Sequence, residues 1–182
     1  MLKGNLIELH AIEESDLKQL QEWRNDPEIR QYFREYRELS IAQQRIWYQE
    51  KVINDPDTLM YTMRISTSGE MIGCCGFNHV NWIHRRGEIS LYVGKSSAYI
   101  DSEGYAADGI SLLLDYGFSQ LGLMRIWTET YSFDEKKRAL LTSLGFQEDG
   151  ILRNNYYLSG KWWDSIVVSY VSTDYFPTSE SN

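Results

Sequence analysis

Cysteine, proline and histidine are scarce in this 182-residue sequence, and their scarcity excludes several classes of protein. The two cysteines, Cys74 and Cys75, are adjacent, so they cannot provide a disulfide framework or, alone, a zinc site. We expect both to be small buried residues of a strand. The histidines are scattered, and no His, Cys and Asp set has the spacing of metal ligands, so no metal site is predicted.

Positive charge is also in deficit, because 18 Lys and Arg residues stand against 26 Asp and Glu residues, a net charge of −8. Proteins that bind nucleic acids or anionic membranes carry a basic face, which this balance disfavours. No apolar run reaches the roughly 18 residues of a membrane span, and the first residues lack the apolar core of a signal peptide. We therefore expect a cytoplasmic protein with neither nucleic acid nor membrane as partner.

What the sequence does contain is the composition of a globular protein, 42% hydrophobic and 14% aromatic. A chain of this length fits one domain, placed at residues 1–172, with a short polar tail at 173–182. Its periodicities predict the order β-α-α-β-β-β-α-β-α-β-β, an α+β chain with a mixed sheet. The predicted strands are 2–10, 59–66, 71–79, 88–93, 124–130, 146–158 and 163–171, and the helices are about 15–24, 40–53, 104–121 and 136–144.

The loop between strand 88–93 and the helix that begins near Gly104 is a candidate anion site. Gly104, Ala106 and Ala107 keep side chains away from the helix start, where exposed N–H groups and the helix dipole favour an anion. The alternative is a glycine that only permits a tight loop, and the residues leave both readings open.

A set of short stretches follows along the chain in a specific order. They are Trp23-Arg-Asn-Asp26, Gly104-Tyr-Ala-Ala107, Leu113-Leu-Leu-Asp-Tyr-Gly-Phe118, Leu121-Gly-Leu-Met-Arg-Ile126, Tyr131-Ser-Phe-Asp134, Leu144-Gly-Phe146 and Gly160-Lys-Trp-Trp-Asp164. Together they resemble the GNAT superfamily of acyl-CoA N-acyltransferases, in its RimJ/RimL-like branch, over about residues 5–172. The resemblance implies the GNAT fold, a mixed and mostly antiparallel central sheet flanked by helices.

The resemblance also implies acetyl-CoA as the cosubstrate. Its pantetheine arm would lie along the fourth strand like an added strand, against Leu91, Tyr92 and Val93. Its pyrophosphate would lie on the loop that follows. The loop residues implied in binding are Asp101, Glu103, Gly104, Tyr105, Ala106 and Ala107.

The sequence departs from the family pattern in the phosphate loop and in the last helix. Asp101 replaces a residue that is usually neutral or cationic, and with Glu103 it would repel the phosphates unless both carboxylates turn to solvent. Lys95 and Lys137 are the alternative sources of compensating charge. Asp134 replaces an Asn that meets the cofactor arm; it serves as a helix cap but not as a donor. Leu141 replaces the tyrosine that protonates the leaving thiolate, so we expect slower turnover.

Acetyl transfer to an amine needs a base and a donor for the oxyanion. The resemblance implies Glu88 as the base and the backbone N–H of Val93 as the oxyanion donor. A substrate contact, or a structural pairing of Glu88 with Arg85 or Arg86, is the alternative for the carboxylate.

The acceptor is expected to be a small-molecule or peptide amine: a protein N-terminus, a polyamine, an amino sugar or an aminoglycoside. The acidic net charge favours a cation such as a polyamine. The alternative function is a non-catalytic module of the same fold that binds a small ligand or mediates assembly. A homodimer is compatible with either reading. The residues assigned to the acceptor pocket are Trp23, Arg24, Asn25, Tyr32, His79 and His84.

Overall fold

The structure, a computed structural model, describes residues 1–176, and these residues form an eight-stranded sheet. The spatial order is β1-β2-β3-β4-β5-β6-β8-β7, and every neighbouring pair is antiparallel except β5 and β6. The expected α+β chain with a mixed, mostly antiparallel sheet is therefore confirmed. The strands are β1 (Leu2–Lys3), β2 (Ile7–Ala11), β3 (Leu59–Ile65), β4 (Met71–Asn81), β5 (Arg86–Val93), β6 (Arg125–Tyr131), β7 (Gln147–Leu158) and β8 (Lys161–Val171).

The helices begin and end at residues whose chemistry explains the boundary. Ser40 caps α3, since its side chain accepts the N–H of Gln43, and Pro27 starts α2 directly after α1 ends. Within residues 1–176 no helix is long and apolar enough to cross a membrane. The helices are α1 (Leu17–Asn25), α2 (Pro27–Arg30), α3 (Ile41–Trp47), α4 (Tyr105–Asp115), α5 (Glu135–Ser143) and α6 (Ser172–Tyr175), with π-helical extensions Tyr48–Ile53 after α3 and Tyr116–Gln120 after α4.

Helix α4 lies against the centre of the sheet and buries the apolar face that the sequence predicts, including Ile110 and Leu113. Gly109 permits this close packing. A Cβ there would lie 3.1 Å from the Met63 side chain and 3.2 Å from that of Leu91. The helix therefore presents its N-terminus beside the end of β5, which is where the candidate anion site was expected.

Two predicted segments differ in detail from the structure. The single strand expected at 2–10 is a short antiparallel pair, β1 and β2, because a turn at 4–6 is held by the Asp108 carboxylate of α4. The tail predicted from residue 173 begins inside α6, where the Tyr175 ring packs 5.1 Å from that of Phe118. Residues 177–182 of that tail lie outside the described residues.

The adjacent cysteines lie in β4 and both are buried, as their pairing in an apolar strand predicts. Burial raises the pKa of the Cys74 thiol to about 12 and raises that of Cys75 as well. Neither thiol is therefore suited to act as a nucleophile.

Candidate active site

The two parallel strands at the centre of the sheet separate and open a cleft. β5 and β6 pair only from Arg86 to Glu88, and beyond this point β6 no longer bonds to β5. The opening has a volume of about 650 Å³. Its walls come from both strands, from the segment 32–35 and from the start of α5. A cleft at the divergence of two parallel strands exposes backbone N–H and C=O groups that a ligand can bond.

Glu88 lies at the point of divergence. Its side chain is only 14% exposed, and its Oε2 is 2.9 Å from Nδ1 of His79, whose ring is 74% exposed. Among residues 1–176 no Lys or Arg forms a salt bridge with Glu88. Neither Arg85 nor Arg86 is therefore its structural partner, and the pair connects a carboxylate within the cleft to solvent.

The opposite wall carries an ion pair, a half-buried amine and a buried hydroxyl. Arg34 pairs with Glu129, and Nζ of Lys137 donates to the carbonyl oxygen of Glu129 at 3.3 Å. Burial lowers the pKa of Lys137 and raises the pKa of Asp134. The Thr130 hydroxyl is buried without a hydrogen-bond partner in the described part of the chain, so a ligand in the cleft would satisfy it.

Aromatic rings close one end of the cleft. The Tyr32 ring stacks on that of Tyr99, with centroids 3.9 Å apart and planes 5° apart. Arg24 lies over the ring of Phe33 at 4.1 Å. Tyr32, Arg24 and His79 are thus three predicted acceptor residues that the structure brings to the cleft.

The other three predicted acceptor residues do not line the cleft. Trp23 packs against Gly94 and edge-on to Tyr92. The Asn25 side chain bonds both backbone groups of Leu39 at 2.8 Å and so fixes the chain before α3. His84 lies exposed in the turn between β4 and β5.

The predicted pyrophosphate loop is filled by one of its own side chains. The Asp101 carboxylate accepts the N–H groups of Gly104, Tyr105 and Ala106 at 2.7, 2.8 and 2.7 Å. These are the amides at the start of α4 that an anion would use. Asp101 therefore points inward and not to solvent, and in this conformation the loop does not fit a phosphate. Glu103 is exposed.

The predicted oxyanion donor is also engaged. The N–H of Val93 donates to the carbonyl oxygen of Tyr99 at 2.8 Å, and that of Gly94 donates to Ile72 in β4. Hydrogen bonds alternate along an antiparallel strand, so the N–H of Leu91 lies on the side of Val93, facing the cleft. The donor role expected for Val93 is not available in this conformation.

Several residues of the cleft escaped sequence reasoning. Thr128 and Thr130 alternate along β6, and that polar alternation was a usable signal. Arg34 and Glu129 are 95 residues apart, and no local pattern links them. Tyr99 lies in a loop that gave no periodic signal.

The mixed, mostly antiparallel sheet with flanking helices is the fold that the resemblance to the acyl-CoA N-acyltransferases implies. A model described as "Acetyltransferase (GNAT) domain" matches residues 7–147. The chain belongs to the GNAT acetyltransferase family, and the expected fold is confirmed.

Named relatives agree with this assignment. The chain is 28% identical to "Uncharacterized N-acetyltransferase p20" of Bacillus licheniformis over 173 residues, which are 93% of this chain and 94% of that protein. It is 24% identical to the "Spermidine N(1)-acetyltransferase" of Escherichia coli (strain K12) over 167 residues, 91% and 86% of the two chains. A crystal structure of spermidine N-acetyltransferase from Vibrio cholerae, in complex with CoA and spermine, has the same fold, with a TM-score of 0.86 and 23% identity. The matched region covers 94% of this chain and 98% of the Vibrio cholerae chain.

Proposed function

We propose that this protein transfers the acetyl group of acetyl-CoA to a primary amine of a small polycation, with Glu88 as the base. The observation that carries the proposal is the Glu88 carboxylate at the divergence of β5 and β6, hydrogen-bonded to an exposed His79. Acetyl-CoA would supply an activated acetyl group and a thiolate as leaving group.

An ammonium has no lone pair, so the acceptor has to lose a proton before or during attack. Glu88 is placed to accept that proton, and His79 offers a path from the carboxylate to solvent. The N–H of Leu91 is our candidate oxyanion donor, in place of Val93, and the Thr130 hydroxyl is a candidate substrate contact. New N–C bond formation then accompanies the breaking of the C–S bond.

A polyamine is the favoured acceptor class. The net charge is −8, and no Lys or Arg of residues 1–176 forms a salt bridge with Glu88. Relatives aligned over most of their length bear the name spermidine acetyltransferase. These names favour polyamines over the N-terminal substrates of a RimJ/RimL-like branch. That branch and the homodimer remain predictions.

The test is CoA release from acetyl-CoA in the presence of spermidine, spermine, an amino sugar, an aminoglycoside and an N-terminal peptide. We expect turnover with the polyamines and a fall of about 10²–10⁴-fold in kcat for Glu88→Gln. The matched control is Glu8→Gln, because Glu8 pairs with His10 at 3.1 Å on β2, outside the cleft. The absence of CoA release with every amine would favour the non-catalytic module. Full activity of Glu88→Gln would show that Glu88 is not the base.

A further inference from the structure

We infer that residues 95–101, here called the closing segment, occupy the cofactor site from within and have to be displaced before acetyl-CoA binds. The inference rests on the proposed function in so far as acetyl-CoA is the ligand displaced. It concerns how tightly this chain holds its cosubstrate, which the family assignment does not determine.

Asp101 fills the phosphate end of the site. Its two carboxylate oxygens accept three successive N–H groups at the start of α4, at 2.7–2.8 Å. A phosphate would use the same amides for the same reason, because an anion there satisfies donors that lack partners within the helix. The carboxylate and a phosphate cannot occupy these amides together, so binding of one excludes the other.

Tyr99 fills the strand edge nearest to the phosphate end. Its carbonyl oxygen accepts the N–H of Val93 at 2.8 Å, as a bridge to β5. Tyr99 is 4% exposed, and its ring is stacked on that of Tyr32. A pantetheine arm that pairs with β5 would need the same N–H. The closing segment thus occupies two separate sets of N–H groups that the cofactor would use, those at the start of α4 and that of Val93. One displacement of the segment would free both.

The closing segment holds backbone strain that opening would release. Ser96, Ser97 and Tyr99 have φ angles of 56°, 52° and 54°, in the left-handed region that side chains other than glycine disfavour. Its outer contacts are on the surface: Lys95 with Glu70 at 2.8 Å, both about half exposed, and Ser97 with Asp26. Displacement has to begin at residues 95–97, which are held by surface contacts, because Tyr99 and Ile100 are buried in the core.

Removal of the Asp101 carboxylate should therefore tighten CoA binding. The apparent affinity of a site is its intrinsic affinity multiplied by the fraction of molecules in which the site is open. From the range reported for loss of a helix cap, we expect the Kd for CoA to fall by about 2- to 30-fold in Asp101→Ala. Asp101→Asn keeps a capping side chain and should show a smaller gain.

The experiment is isothermal titration of CoA into the wild type, Asp101→Ala, Asp101→Asn and a matched control, Asp108→Ala. Asp108 is also a carboxylate of this region that accepts three N–H groups, those of Asn5, Leu6 and Ile7 at 2.8–3.1 Å. Its carboxylate bonds residues 5–7 and not the amides of residues 104–106, so its loss removes a similar number of bonds without freeing the phosphate amides. The Asn variant keeps the test decisive if the Ala variant does not fold.

The outcomes separate this inference from the proposed function. Tighter binding by the Asp101 variants but not by Asp108→Ala would support the closing segment. If the wild type binds CoA and the Asp101 variants bind it equally well or more weakly, the inference is overturned and acetyl transfer still stands. Binding by the Asp101 variants alone would support the inference and count against acetyl transfer by the native chain. No binding by any of them would overturn both.

Discussion

Replacement of Asp101 by alanine should lower the stability of the cofactor-free protein and leave that of the CoA complex unchanged. Loss of a helix cap costs about 0.5–2 kcal/mol of stability. Asp101 makes three charge-assisted bonds to partly buried amides, so we expect its loss to cost about 2 kcal/mol, at the top of that range. For a chain of this size 1 kcal/mol shifts Tm by about 2–4 °C. We therefore expect Tm to fall by about 4–8 °C without CoA.

The same free energy should reappear as affinity. The wild type gives up the Asp101 bonds when CoA binds, whereas the variant has none to give up, so about 2 kcal/mol corresponds to a Kd about 30-fold lower. Ligand bound only to the folded state adds RT ln(1 + [CoA]/Kd) to the free energy of unfolding. At saturating CoA the extra binding free energy of the variant offsets its lower stability without CoA. The two proteins should then unfold at the same temperature or urea concentration.

The assay is thermal or urea unfolding of both proteins with and without saturating CoA. The reasoning would be refuted by a gap in stability that is the same under both conditions, because Asp101 would then keep its bonds in the complex. Asp108→Ala should show such a constant gap, since its three bonds go to residues 5–7 and not to the amides that CoA would use.

Two further predictions follow from buried titratable groups. Burial raises the pKa of Asp134, so the folded state holds that proton more tightly than the unfolded chain. The stability of the wild type relative to Asp134→Asn should therefore fall as pH rises from about 4 through the raised folded pKa, and stay level above it. Urea unfolding across pH measures this, and a difference independent of pH would contradict it. Burial also raises the pKa of the thiols of Cys74 and Cys75, so both should resist a thiol reagent at pH 8 and react promptly in denaturant. Rapid labelling of the native protein would show that β4 opens.

Local signals account for most of the fold. Pro27 and Pro56 follow the ends of predicted helices, and the alternating strand predicted at 88–93 lies within β5 and brings Glu88 to the cleft. Period and helix-stop residues depend on neighbours within one or two turns, which a sequence displays directly.

The cleft was less predictable because its walls come from distant parts of the chain. Arg34 meets Glu129 only after the sheet has formed, and Trp23 turns to Gly94 and away from the cleft because the glycine leaves room for its ring. Asp101 carried a local signal that was interpreted in the wrong direction. A short carboxylate four residues before the first residue of a helix can accept the N–H groups there.

The sequence and the structure give different reasons to expect weak CoA binding, and a variant of Glu103 distinguishes between them. If like charge repels the phosphates, Glu103→Gln and Asp101→Asn should each tighten binding, and the gains should shrink as salt screens the charges. If Asp101 competes for the amides of α4, Glu103→Gln should change little, since that side chain is exposed and does not bond those amides. The gain in CoA affinity should then be larger for Asp101→Ala than for Asp101→Asn, because asparagine still caps the helix. The gain of Asp101→Ala should persist at high salt. CoA titrations of the three variants at low and high salt decide between these accounts. If Glu103→Gln and Asp101→Asn gain equal CoA affinity and both gains vanish at high salt, charge repulsion is the explanation and competition by Asp101 is not.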